Sequence, residues 1–490
     1  MAYLLRAGAV NLDNFVYDTN KIQPMRGGSF LLLNSVRKIV EKNKQGTIPT
    51  FNGIPLEKIA TGASIGLYRF KDGPDVQPQK VADAVGNALQ EATGGHATFV
   101  VDWLKETGDF KNDLKKLHAM NRWRQYQQTT LVLPNIDPKA EKECAYDGIR
   151  PACKDDDCLF MGEHLSSSVA FKTKKGRDLR HNIYANILGQ ADCDFTDDLQ
   201  DLASHKDKGN LNDKVAFIYL DGNKFTEIRT TLCDSSDKLT AFSEAVENSR
   251  KKFLATLLDK ANGDPDFKKD GKIRLETLLW GGDEMEIIVP AWRGWEVVKL
   301  FFDTMKDVVY DNVPLTHAGG IVFCKCKAPI RQIRRMAREL ADIVKGNITD
   351  DFKDIATIRS PVTHDKHDAF HFLVLESFDT IGGKVKHFAE SFYGENIWTA
   401  KQMNVVEMDT LSATMETIKA NGFPHNKIFD IIRAVGNGEA EEGVNQLCRN
   451  ALTGNTNSEA IIASINKFIG GKVERWFIIA ELWDYVGGEK

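Results

Sequence analysis

The chain has 490 residues, enough at roughly 150 per domain for about three domains with sizeable cores. Hydrophobic residues make up 42% and charged residues 27%, which excludes collagen-like, low-complexity and disordered chains. A formal net charge of −5 argues against a strongly basic nucleic-acid binder and leaves only local basic patches open.

No apolar run approaches the ~18 residues needed to span a bilayer. The N-terminal Met1-Ala2-Tyr3-Leu4-Leu5-Arg6 lacks the layout of a signal peptide. A cytoplasmic protein with no membrane partner is expected. Eight cysteines are too sparse for a disulfide scaffold. Cys324 and Cys326, two apart in a strand-like run, read as reduced core thiols on one face.

In chain order, 1–135 reads as mixed α/β, with strand-like runs at 3–10, 60–70 and 97–104 and helical spacing over 29–42. A polar stretch, 136–176, follows as a linker or small insert. Its cysteines Cys144, Cys153 and Cys158 are candidate zinc ligands, although no Cys-x-x-Cys is present. The segment 177–350 is the richest. A buried strand is expected at 214–220 and a helix at 239–260. Strands at 273–280 and 285–290 are joined by the turn Gly281-Gly282-Asp283-Glu284. A helix at 295–310, a strand at 315–326 and a helix at 329–345 complete a β-α-β-β-α-β-α order, which belongs to ferredoxin-like palm domains. From 351 to 490 the pattern is mostly helical, with Gly-rich breaks at 381–383 and 436–438. The expected fold class is α+β: two ferredoxin-like palms and a C-terminal helical domain.

A weak internal repeat supports the second palm. Gly8-Ala9-Val10-Asn11-Leu12-Asp13-Asn14-Phe15 echoes the segment from Phe217 to Phe225, and Thr61-Gly62-Ala63-Ser64-Ile65 sits where the Gly-Gly-Asp-Glu turn sits in the later copy. The first copy lacks acids at its hairpin.

Asp221 ends an apolar strand, and Asp283 and Glu284 tip a hairpin, so a palm sheet brings the three acids to one edge. Packed carboxylates repel unless cations neutralise them. Oxygen-only ligands suit Mg²⁺ or Mn²⁺, and a pair of such ions activates a ribose hydroxyl and stabilises a pyrophosphate leaving group. Gly281 and Gly282 let a base or ribose lie against the hairpin. Arg331, Arg338 and Lys345 are seven apart and line one helix face, and Lys345 at the helix end is the best phosphate candidate. Alone, Gly-Gly-Asp-Glu is only a common turn; the Asp-terminated strand about sixty residues upstream and the element order strengthen it. His364-Asp365-Lys366-His367-Asp368 is dense in metal-ligand types, but reads best as a polar loop leading into a strand. On a helix, His367 and His371 would share a face.

Asp221-Gly222-Asn223-Lys224-Phe225 together with Gly281-Gly282-Asp283-Glu284 resembles the GGDEF-type polymerase/cyclase palm. Further segments resemble the large polymerase-cyclase subunit of type III CRISPR effectors: Arg26-Gly27-Gly28-Ser29-Phe30 its first-palm helix start, and Cys144 with Gly148-Ile149-Arg150-Pro151-Ala152 its inter-palm cysteine segment. Ser168-Val169-Ala170 resembles its second-palm entry, and His317-Ala318-Gly319-Gly320-Ile321 its late strand. The resemblance covers about residues 1–350. It implies conversion of ATP, with Mg²⁺ or Mn²⁺, to cyclic oligoadenylate messengers when target RNA is bound. It also implies partners in a guide RNA–protein effector. Asp221 and Asp283 would hold the metals with Glu284 beside them; Asn223, Lys224, Phe225, Gly281 and Gly282 would border the nucleotide; Lys345 would meet the triphosphate. Three departures stand out. The turn ends Asp-Glu where Asp-Asp is usual, the N-terminal His-Asp nuclease domain is missing, and Asp147 takes the place of a zinc-binding cysteine. A stand-alone antiviral cyclase and a non-catalytic RNA-binding scaffold are the alternatives.

Overall fold

The first apolar run folds as β1 (Ala2–Ala9), and the computed structural model describes residues 2–41, 46–128, 142–188, 193–347, 362–376 and 384–487. Helix α1 (Ile22–Lys38) follows, starting seven residues before the expected 29. The expected strand at 60–70 is instead a hairpin, β2 (Glu57–Gly62) and β3 (Ile65–Lys71). Ala63, at its turn, has a positive φ of 47°, which breaks the extended run. Helix α2 (Pro78–Ala92), strand β4 (Phe99–Lys105) and helix α3 (Phe110–Tyr126) complete an antiparallel sheet of order β2-β3-β1-β4.

The polar stretch contains less linker than expected. Beyond a short turn-rich segment, Ser167–Leu188 is a 22-residue helix, α4. It crosses α1 at backbone contact. A Cβ on Gly27 would lie 1.9 Å from the Lys172 carbonyl oxygen, and one on Gly176 would lie 2.1 Å from that of Gln23. Only glycine fits there. Buried Arg26 donates Nε–H to the Gly176 carbonyl (2.9 Å) and ion-pairs with buried Glu276. Gly176→Ala must push the two helix backbones apart, so it should cost more than about 2 kcal/mol and lower Tm by several degrees in calorimetry. An unchanged Tm would show that the crossing is loose.

The second sheet begins with β5 (Lys214–Gly222), buried at every position. Helices α5 (Phe225–Leu232) and α6 (Ser236–Gly263) precede the hairpin strands β6 (Glu276–Trp280) and β7 (Met285–Pro290). Helix α7 (Ala291–Met305) ends five residues short of the expected 310, because Val309–Tyr310 pairs with Val313–Pro314. Strand β8 (His317–Lys325) and helix α8 (Ile330–Gly346) match expectation. The sheet then continues: β9 (Ala369–Val374) pairs parallel to β8, and a short β10 (Met403–Asn404) follows. Its order is β6-β7-β5-β8-β9-β10, so its first four strands repeat the connectivity of the first sheet. The chain is of mixed α+β class, with helices α9 (Val405–Ala420), α10 (His425–Gly436), α11 (Glu441–Ala451) and α12 (Ser458–Ile469) closing it. The expected break at 381–383 lies outside the described residues. A short helix, Trp476–Glu481, follows near the end of the described chain.

Strand alternation sends the two faces of the second sheet into different cores. Ile218 and Ile287 pack with Phe253, Leu257 and Phe301, continuous with Met408 and Leu411 of the C-terminal helices. Phe217, Tyr219 and Val322 meet the apolar stripe of α8, including Ile333, Leu340 and Val344. Gly320 admits that helix, since a Cβ there would lie 1.8 Å from the Ala337 carbonyl oxygen.

The repeat has a defined register. Gly8 pairs with Ile65, the first residue of its second hairpin strand, and Leu220 pairs with Met285 in the same place. Ala9 therefore corresponds to Asp221. Side by side, the sequence segments instead set Leu12-Asp13 against Leu220-Asp221, but Asp13 lies in the helical turn Leu12–Val16.

Candidate functional site

Asp221 is delivered to the sheet edge by β5, where its backbone pairs with Ala318 of β8. It is 8% exposed. The neighbouring hairpin turn is tight, with the Gly281 N–H donating to the Glu284 carbonyl at 2.8 Å, and it holds Asp283 and Glu284 close enough for their charges to act on Asp221. Lys345, in the last turn of α8, ion-pairs with Asp221. Tyr219 donates its hydroxyl to the same carboxylate at 3.3 Å. Burial, then the charge of Asp283 and to a lesser extent that of Glu284, push the Asp221 carboxyl up to about 7, against the pull of Lys345. Arg338 reaches Glu284 at 4.0 Å, while Arg331 is exposed.

The expected nucleotide-binding residues divide. Phe225 lines a cavity of about 260 Å³ between the two sheets, its ring edge-on to Phe242 and His317. Gly281, Gly282 and Asp283 line the same cavity. Gly62 of the first hairpin meets Gly282 tip to tip, so close that a Cβ on Gly62 would lie only 2.9 Å from the Gly282 Cα. Asn223 lies elsewhere. It is 0% exposed, and its Nδ2 donates to Thr316 Oγ1 (3.1 Å) and the His367 carbonyl (2.8 Å), so it ties the strand end to the following segments. Lys224 takes the left-handed conformation that starts α5, and its ammonium lies 3.4 Å from Glu227.

Arg250 of α6 is the residue missed in the sequence. Its guanidinium donates to the carbonyls of Gly281, Gly282 (2.7 Å) and Glu284 (2.9 Å), and lies 4.4 Å over the Trp280 ring. Burial lowers its pKa to about 10, so it stays charged at neutral pH. One guanidinium thus fixes the whole acidic turn. The available signal was an arginine inside the apolar stripe Phe242, Val246, Phe253, Leu257. Beside the hairpin, Arg334 pairs with buried Glu286 (2.5 Å) and covers the Tyr17 ring at 3.4 Å, while Tyr17 donates to Glu286 at 3.2 Å.

The other clusters have structural partners. Cys144 and Cys158 are buried in one small cluster with Leu165 and Val169, and Cys153 packs against it. Among the described residues no group of three His, Cys, Asp or Glu side chains is placed to hold a metal ion. Asp147 closes the cysteine-bearing turn itself, accepting from the backbone N–H of Ile149 (2.8 Å) and Arg150 (3.0 Å) and pairing with the Arg150 side chain (2.5 Å). Cys324 and Cys326 are both buried free thiols. His367 and His371 share no helix face, because His371 lies in β9 with its ring against Trp398. His364 bonds Asp368 at 2.6 Å, and Asp368 accepts the His317 N–H at 2.6 Å, which anchors β9 to β8. Among the described residues no helix is long and apolar enough to cross a membrane.

No protein-family model and no curated protein matches the chain. Several solved structures are similar to it. One is a Csm1-Csm4 cassette in complex with cA4, with a TM-score of 0.47, 10% identity, and coverage of 98% of this chain and 70% of that one. Another is a Csm1-Csm4 subcomplex in the type III-A CRISPR-Csm interference complex, with a TM-score of 0.41, 12% identity and coverage of 71% and 53%. A third is Csm1 in T.onnurineus, with a TM-score of 0.39, 14% identity and coverage of 71% and 51%. The chain spans about half the length of the last two.

Proposed function

We propose that the chain is a nucleotidyltransferase of the polymerase/cyclase palm type that converts ATP to cyclic oligoadenylates, as an RNA-gated subunit of a type III CRISPR-like effector. The observation that carries the reading is that Asp283 and, less strongly, Glu284 act on Asp221 at one sheet edge, where burial and then the charge of Asp283 raise its carboxyl to about 7. An all-oxygen, electron-rich donor set fits Mg²⁺ or Mn²⁺. Asp221 and Asp283 would hold it, and when bound it would supply charge stabilisation for the reacting phosphates. Gly281 and Gly282 leave room for a nucleotide against the hairpin, and Phe225 offers a ring face or edge to its base. Lys345, the counter-ion of Asp221, supplies positive charge for a triphosphate. Arg250 is a positioning residue that holds the turn carbonyls. In this reading the repeated sheets are two palms, 1–135 and 177–350, joined by 136–176 and followed by the helical 351–490. The guide RNA–protein subunits and target RNA rest on the sequence motifs.

A second reading, a non-catalytic scaffold, is favoured by Lys345 already closing on Asp221 and by the lack of a three-ligand cluster among the described residues. The deciding experiment incubates purified protein with Mg²⁺ or Mn²⁺ and each nucleoside triphosphate, with and without its copurified complex and target RNA, and reads products by mass spectrometry. Cyclic oligoadenylates support the enzyme. Their absence under every condition supports the scaffold, and product without RNA supports a stand-alone cyclase.

A further inference from the structure

On the side of β8 away from Asp221 lies a buried polar cluster that the proposed chemistry does not use. The helical turn His364–His367 precedes β9, and the side chain of His364 is only 10% exposed. Its Nδ1 lies 2.6 Å from Asp368 Oδ2, and its Nε2 lies 3.1 Å from the carbonyl oxygen of Val308, just after α7. A neutral imidazole has one N–H and one lone pair, so it cannot donate to both. The dyad therefore holds one proton more than a neutral ring beside a carboxylate. That proton belongs on Nδ1, since imidazole is far more basic than a carboxylate.

Asp368 is buried and spends its other oxygen on the backbone N–H of His317, at 2.6 Å. Ala318 and Ala369 form the first rung of the β8–β9 ladder, so this bond adds one rung ahead of it. On the other side of β8, His317 and Ala318 pair with Gly222 and Asp221. The His317 ring also lies between those of Phe225 and Phe301, with centroids 5.3 and 5.1 Å away. The Asp368 carbonyl accepts the N–H of Val405, the first residue of α9, at 3.1 Å. The dyad thus stands between the C-terminal helices and the strand end that carries Asp221.

Burial works against a charge on His364, but Asp368 outweighs it and holds the ring above its ordinary value. Of the other groups that face the dyad, Asp307 after α7 also favours the imidazolium. Burial holds His317 neutral, down at about 3, and His367 faces the backbone of Thr363. Glu407 and Asp409 of α9 are paired with Arg475 and Lys299.

We propose that His364 is a positioning residue that acts as an imidazolium, locking the head of β8 through Asp368 beside the strand end that carries Asp221, and that the lock opens when this proton leaves. The positioning role rests on the reading of the acidic edge as the working site; the protonation state does not. Without the proton, the Asp368 carboxylate faces a lone pair on Nδ1. The folded chain holds the proton more tightly than the unfolded chain, so the contribution is fully present below the ordinary histidine value and is lost as pH rises through the raised one.

The test reads the ring directly, by ¹⁵N NMR of the full chain labelled at histidine, in EDTA and without nucleotide. The His364 signals are those missing from His364→Gln. At pH 6.5, about the midpoint of an ordinary histidine, the ring should still be mainly protonated on both nitrogens, and Asp368→Asn should bring its titration down. By hydrogen exchange at pH 6, the His317 N–H should open at least about tenfold more often in His364→Gln than in wild type. Above the titration of His364 the two proteins should open equally, whereas a role in packing alone would leave the gap unchanged. A ring that titrates at or below the ordinary value, a titration unmoved by Asp368→Asn, or a gap that does not close with pH would overturn the proposal. If His364→Gln does not fold, the ring is identified as the one whose titration falls in Asp368→Asn, and the absence of any such ring overturns the proposal. Failure of the cyclase reading shows differently, as absent nucleotide product with the doubly protonated ring intact.

Discussion

If the proposed metal-dependent reading holds, Asp283→Ala and Asp221→Ala are each expected to reduce nucleotide turnover by on the order of 10³-fold or more while the chain stays folded, because each removes a carboxylate assigned to the metal in that reading, worth several kcal/mol. The same pair should change stability in a way a bystander would not. The Asp221 carboxyl sits at about 7 in the folded chain, well above its ordinary value, because burial and Asp283 disfavour its charge. The folded state therefore holds this proton more tightly than the unfolded state. Its contribution is fully present at pH below the ordinary value and is lost as pH rises through about 7. In EDTA at pH 8, Asp221→Asn should be more stable than wild type by more than about 1 kcal/mol, and the gain should vanish near pH 4. Mg²⁺ should raise the wild-type Tm more at pH 8 than at pH 6, since it needs the ionised carboxylate. A Mg²⁺ response that is identical in wild type and in both alanine variants would remove the metal assignment.

Arg250→Met is the second large effect. The substitution keeps an unbranched apolar stem but leaves the carbonyls of Gly281, Gly282 and Glu284 without their donor. Buried acceptors left unpaired cost about 1–3 kcal/mol each, partly recovered by water at the half-exposed tip. A loss of about 3 kcal/mol is expected in denaturant titration, together with a fall in kcat of at least about tenfold as the turn loses its fixed geometry. Arg250→Lys separates stability from positioning. One ammonium replaces some of the charge but cannot span three carbonyls, so Tm should recover more than kcat. Equal recovery of both would reduce Arg250 to a structural role.

Much of this architecture is legible locally. The all-apolar run ending in Asp221 could only be a central strand, and the glycine pair before Asp283 could only turn tightly. The seven-residue spacing that puts Arg338 and Lys345 on one face of α8 is a property of helix geometry, and both reach acids of the site. Even the acid-poor first hairpin is visible as Ala63-Ser64.

What escaped local pattern depends on partners distant in the chain. Arg250 looks like a flaw in an apolar stripe until the turn 31 residues later supplies its carbonyls. Asn223 sits inside a site motif, yet its amide is consumed by Thr316 and His367. The parallel pairing of β9 to β8 cannot be read from either strand, because strand propensity does not specify a neighbour. The register that equates Ala9 with Asp221 follows from hairpin pairing, which a short sequence echo displaced. The sequence by itself determined the elements, the acids and the basic helix face, since these follow from side-chain periodicity and turn chemistry within a few residues. Only the tertiary structure decided what the buried Arg250 does: its guanidinium from α6 and the hairpin carbonyls it fixes meet nowhere but in the folded chain.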